Sequence, residues 1–135
     1  MSEANPIEEV WVLLAGRQKQ FIEAFYGNLF HQFPDYEQYF PKHMDAQMER
    51  MVALIGAIAN ISNQINLIRP YLLQVGAAHK DLALLRYEDL CNFRDVFIAT
   101  AAIVCGESWE ERHALAFQAA FDDTIIPIVY EGLRR

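Results

Sequence analysis

The chain has 135 residues, a formal net charge of −7 and a sequence pI near 5.0, with hydrophobic residues at 53% and aromatics at 13%. The acid surplus excludes a surface built to hold nucleic-acid phosphates or an anionic membrane, which needs an excess of lysine and arginine. The apolar content excludes disorder and leaves room for the lining of a cavity inside a single domain spanning residues 1–135.

In chain order, "NPIE" supplies Asn5 as an N-cap, Pro6 at the first helical position and Glu8 in the first turn. The helix is expected to continue through "VWVLLAGRQKQFIEAFYGNLF", with Gly16 and Gly27 as weak points, until Pro34 breaks it. "FPDYEQYF" reads as a short helical turn started by Pro34 and closed by Pro41. From Met44 the apolar positions 44, 48, 51, 55, 58 and 65 follow a three-four spacing, the mark of a long amphipathic helix, with Arg50 and Asn60 off its stripe. Pro70 opens "PYLLQVGAAHK", whose last turn carries His79. A further helix is expected from about Tyr87 to Cys105, with Leu90, Phe93, Phe97 and Val104 inward and Gly106 as its stop. "SWEE" suggests a capping box from Ser108 to Glu111, and the last helix runs to about Leu133 with a bend at Pro127. No strand alternation persists, so the fold class is all-α, with six to seven helices joined by short turns.

The acidic opening "MSEANPIEEV" lacks a basic-then-apolar export signal, and no apolar run reaches membrane-spanning length, so a cytoplasmic protein is expected. Cys91 and Cys105 lie in apolar helical contexts without CxxC or Cys/His spacing, which favours reduced structural thiols over a disulfide or zinc.

His79 poses the chemical question. It ends an apolar run, and Gly76, Ala77 and Ala78 before it would let a bulky group approach the backbone. A histidine near an apolar face is ordinarily a satisfied or half-exposed residue. Other residues favour a cofactor. A planar macrocycle around iron asks for one imidazole, an aromatic wedge and a few polar groups opposite, and Phe40, Gln47 and Tyr26 supply those types. Gln47 and Met51, one turn apart, project from one helix face.

The segments "FYGNLF", then "FP" and "YF", then "AQMERM", then "RPYLLQVGAAH" resemble the globin family, in particular bacterial single-domain globins and the globin part of flavohaemoglobins, over nearly the whole chain. The resemblance implies a globin-like fold around a haem pocket holding haem b (iron protoporphyrin IX). His79 would be the proximal iron ligand, Tyr26 the distal tyrosine, Phe40 the haem wedge, Gln47 the distal gate and Met51 the apolar residue beyond it. His79 follows Gln47 by 32 residues, a separation that suits the family. Val75 would lie under the ring, and Leu84, Phe93 and Phe97 would fill the walls, with plain core packing the alternative, favoured for Phe97. The connection from Phe40 to Gln47 is short for the family, so a slipped register would bring His43 or Arg50 into the pocket, His43 as a sixth iron ligand. The nearest residue types for a proximal tyrosine and glutamate relay are Tyr87 and Glu131, neither of which aligns cleanly. His31 and His113 read as surface histidines.

The implied function is reversible binding of O₂, and of NO or CO, at the haem iron. One alternative is nitric oxide dioxygenation with a separate reductase, since no reductase domain is expected on a chain ending at Arg135. Another is a haem-based gas or redox sensor signalling through a partner protein or a homodimer. A haem-free globin fold would have no use for Tyr26, Phe40, Gln47 and His79 together.

Overall fold

The structure, a computed structural model, describes residues 6–40, 42–61, 69–70, 72–73 and 86–134. Their regular structure is all helical, with no strand among the described residues. Helix α1 spans Pro6–Leu13, α2 Gln18–Gln32, a 3₁₀ segment Pro34–Tyr39, α3 Asp45–Ile61 and α4 Tyr87–Cys105. After a 3₁₀ turn at Gly106–Ser108 come α5 at Glu111–Ala120, a π turn at Phe121–Ile125 and α6 at Ile126–Arg134. Arg69, Pro70, Leu72 and Leu73 are helical, and the start of that helix, expected at Pro70, lies outside the described residues. Asn5, Pro41 and Ile65 lie outside the described residues, as do the side chains of Ile58 and Asn60.

Pro6 does begin α1, whose Ile7 and Val10 are buried three residues apart. The expected single helix across residues 10–30 is instead two. Gly16 adopts φ +80°, which a right-handed helix cannot accommodate, and this reversal lets α2 start at Gln18 in a new direction. Arg17 holds the corner: its guanidinium donates to the Leu13 carbonyl at 2.7 Å, ending α1, and to the Val104 carbonyl at 3.2 Å, near the end of α4. Gly27 stays helical inside α2.

Helix α2 turns Phe21, Ile22, Phe25, Tyr26 and Leu29 inward. It packs on α4, where Phe97 is 1% exposed and lies 5.1 Å from Phe21 and 5.8 Å from Phe25, centroid to centroid. Phe117 and Phe121 close on the same ring from α5 and the π turn, at 5.5 and 5.3 Å. Helix α1 lies on α3 where Gly56 leaves room: a Cβ there would stand 3.4 Å from the Trp11 indole nitrogen. Phe93, half-buried, sits one turn before Phe97 on the inner side of α4.

Two helix boundaries differ from expectation. Gly106, at φ +60°, does end α4, but the capping box falls two residues later than "SWEE" suggests, with Glu110 as N-cap and His113 as its reciprocal partner. The distortion expected at Pro127 appears before it. Proline can neither donate a hydrogen bond nor accommodate a carbonyl four residues back, and the chain widens into the π turn, where the Ile126 amide bonds to the Phe121 carbonyl, so that Pro127 sits in the first turn of α6.

Gly16 combines a positive φ with open space: a Cβ at this position would meet nothing within 4 Å, so a substitution here isolates a backbone effect. Gly16→Ala should lower the unfolding free energy by about 1–2 kcal/mol, the cost of a left-handed non-glycine residue, which equilibrium urea denaturation will measure; an unchanged midpoint would mean that the corner is not fixed by this residue.

Candidate functional site

Tyr26 lies midway along α2, 5% exposed, on the buried stripe that Phe25 and Leu29 continue. Its ring is boxed by aromatics: Phe25 at 5.0 Å, Phe30 at 5.9 Å and Phe40 edge-on at 5.6 Å. Gln47 enters from the first turn of α3, 8% exposed, and its Nε2 donates to the Tyr26 hydroxyl oxygen at 3.2 Å. Two polar side chains from different helices thus meet in an apolar setting, where such groups need partners to be tolerated. Because Gln47 is the donor, the phenol proton is not used in this bond. Met51, one turn after Gln47, is half-buried and packs against the core, as do Met44 and Met48.

Phe40 follows the 3₁₀ segment in extended backbone and bridges the two sides. Its ring is 5.4 Å from Phe30 on α2 and 6.5 Å from Phe93 on α4. The structure therefore brings Tyr26, Phe40, Gln47 and Phe93 into one run of contacts, with Met51 on the same face of α3 as Gln47. Val75, His79 and Leu84 lie outside the described residues, as does the side chain of Arg50. His43 and His31 are exposed. Glu131 accepts a hydrogen bond from Arg69 at 2.8 Å, and Tyr87 sits at the surface with its ring 5.3 Å from Tyr130. Both cysteines are free thiols, and burial pushes that of Cys105 up, with Arg17 pulling it the other way.

His113 is not a surface residue. It is 2% exposed, because α5 docks on α1 and Trp109 covers the imidazole with ring centroids 5.6 Å apart. Its Nδ1 accepts the Glu110 amide at 3.0 Å, so in the neutral ring the proton sits on Nε2, which has no hydrogen-bond partner and stands 3.6 Å from a Glu9 carboxylate oxygen. That carboxylate is bound by Arg112, which holds it below the usual carboxylate range. The role is structural, at a helix start.

Sequence reading misses a second buried tyrosine. Tyr36, in the 3₁₀ segment, donates to Asp89 Oδ1 at 2.6 Å and accepts from Asn92 Nδ2 at 2.9 Å; the other Asp89 oxygen accepts the Arg86 amide at 2.7 Å, at the start of α4. The Tyr36 ring stacks on Phe33 at 5.0 Å and meets Phe93 edge-on at 5.3 Å. An aspartate at the third position of a predicted helix is the one available signal, since that position favours a carboxylate that caps the amide behind it.

Compared with known proteins, the chain matches no family model and no curated sequence significantly. Among the described residues no cluster of three or more His, Cys, Asp or Glu is arranged to hold a metal ion, and no helix is long and apolar enough to cross a membrane.

Burial, and then the bond to Asp89, push the Tyr36 phenol up to about 12 from its ordinary value near 10. An acid raised on folding contributes stability that is complete below the unfolded value and lost as pH climbs through the folded one. Spectrophotometric titration at high pH should show a tyrosine ionising near 12 that Tyr36→Phe lacks, with stability falling more steeply between pH 10 and 12 in the parent than in the variant. Equal titrations of the two proteins would refute the assignment.

Proposed function

We propose that the chain is a haem-binding globin that reversibly binds O₂ and other diatomic gases, NO and CO among them. The observation that carries this is the buried pairing of Tyr26 and Gln47, at 3.2 Å from separate helices, beside the Phe40 ring. Polar groups placed there stabilise the fold little, since a neutral hydrogen bond contributes about 0.5–1.5 kcal/mol net, and two apolar side chains would fill the space without a desolvation cost. A ligand that needs hydrogen-bond donors in a dry pocket gives them a purpose.

The residues fit haem b by their chemistry: aromatic edges from Phe40 and Phe93, the thioether of Met51, and two donors on one side. By its place in the sequence resemblance, His79 would hold the iron through an imidazole nitrogen, with Val75 and Leu84 lining the same side. A bound haem supplies a ferrous iron that coordinates diatomic gases. Tyr26 would donate its phenol proton to a ligand carrying partial negative charge, and Gln47 would turn its amide from the phenol oxygen toward the same atom. Phe40 and Phe93 would exclude water, which keeps the local dielectric low and strengthens both bonds. Cytoplasmic placement, a separate reductase and a signalling partner belong to the same proposal, as uses to which such a site is put.

Hemin added to the purified chain should bind with defined stoichiometry and give a Soret band, and His79→Ala should abolish it; a chain that stays colourless has no gas chemistry of this kind. A charge-assisted hydrogen bond of about 1.5–3 kcal/mol corresponds to a tenfold to hundredfold change in rate. Tyr26→Phe should therefore release O₂ faster by about that factor in stopped-flow measurements, and an unaltered rate would remove Tyr26 as the donor.

A further inference from the structure

Tyr36 sits outside the gas-contacting set, yet it is the polar link between the two elements that carry the site's aromatic wall. The 3₁₀ segment Pro34–Tyr39 leads directly into Phe40, and α4 carries Phe93. Across that seam Tyr36 makes a 2.6 Å bond to Asp89 and a 2.9 Å bond to Asn92, and its ring presses edge-on against Phe93. Asp89 is itself fixed through the Arg86 amide at 2.7 Å. Phe40 and Phe93, at 6.5 Å between centroids, touch only at the outer limit of aromatic contact. Their own attraction is too weak to set their separation, so something stiffer must.

We infer that Tyr36, clamped to Asp89 and Asn92, is a positioning residue that fixes the spacing of Phe40 and Phe93 and so closes the aromatic side of the proposed haem site. This rests on the haem reading. Phenol to carboxylate is the strong kind of hydrogen bond, short and charge-assisted, and it is buried. Removing the hydroxyl leaves the Phe33 stack and the Phe93 contact in place but frees the seam to slide. The wall then opens transiently, while Tyr26 and Gln47 keep their backbone anchors on α2 and α3.

The test compares haem-loaded protein with Tyr36→Phe and with Thr100→Val. Thr100 joins α2 to α4 by accepting from Asn28 at 3.1 Å, so its loss weakens the same helix without touching the wall. Haem transfer to an excess of a scavenger protein, thermal midpoint and O₂ release are measured for each. The clamp predicts that Tyr36→Phe loses haem about tenfold faster, the factor that one lost charge-assisted bond gives, with O₂ release quickened less than in Tyr26→Phe, while Thr100→Val lowers the midpoint without faster haem loss. Transfer rates that follow the midpoints in both variants, or that do not change in Tyr36→Phe, would reduce Tyr36 to a structural residue and overturn the inference while leaving the haem reading intact. Failure of the parent chain to take up hemin would overturn both. Amide exchange at Arg86 in the haem-free chain reads the clamp itself: it should quicken in Tyr36→Phe, and unaltered exchange would show that Asp89 is held without Tyr36.

Discussion

Phe97 is the ring on which the arrangement of helices depends. Phe21 and Phe25 reach it from α2, Phe117 from α5 and Phe121 from the π turn, all at centroid separations between 5.1 and 5.8 Å. Tilted and edge-on contacts of this kind add about 0.5–1.5 kcal/mol each to what burial contributes, and they are directional, so they set helix rotation as well as separation. The consequences reach the candidate site by register alone. Tyr26 follows Phe25 on α2, and Phe93 stands one turn before Phe97 on α4. Rotating either helix to suit a different core would therefore swing one wall of the site away from the other.

The two buried tyrosines show how similar side chains acquire different work from their partners. Tyr26 takes a hydrogen bond from a neutral amide, within an aromatic shell and 5% exposed. Tyr36 gives one to a carboxylate, and both burial and that bond hold its proton more firmly than in a free phenol. A carboxylate partner makes Tyr36 a strong, fixed tie, because breaking it would leave a buried charge short of a partner. The bond from the Gln47 amide to Tyr26 joins two neutral groups and is the weaker kind. Firm support beside an adjustable contact is the division expected of a site that must be shaped and still respond to what enters it.

What can be read from the sequence is whatever is local. The limits of α4, Tyr87 and Cys105, follow from apolar periodicity and from the glycine that ends it. The shared face of Gln47 and Met51 follows from a spacing of four. Gly16 is visible as a weak point but not as a reversal, because glycine tolerates a helix and only the docking of α1 on α3 and α5 demands a positive φ here. His113 escapes for a related reason: among glutamates and an arginine it looks solvated, and only the seam between α1 and α5 buries it. The Tyr36 to Asp89 bond joins positions 53 residues apart, where neither residue type nor pattern announces a partner. Tyr26 and Phe40 stand out through resemblance to a family, and no periodicity would have brought them together.

Tyr26 and Gln47 also differ in how firmly the fold holds them, and this ranks them as donors in the proposed globin. Tyr26 is the ninth of the fifteen residues of α2, with helix on both sides, two side-chain torsions and three aromatic neighbours. Gln47 is the third residue of α3, just after the irregular stretch at His43 and Met44, and its amide swings on three torsions. In that reading the phenol is the more firmly placed of the two side chains and the amide the more easily turned. Preorganised donors stabilise charge most effectively, because no reorganisation is needed when it appears. If the proposed globin reading holds, Tyr26 would be the donor that sets the strength of the interaction with bound gas, and Gln47 the one that turns with the ligand.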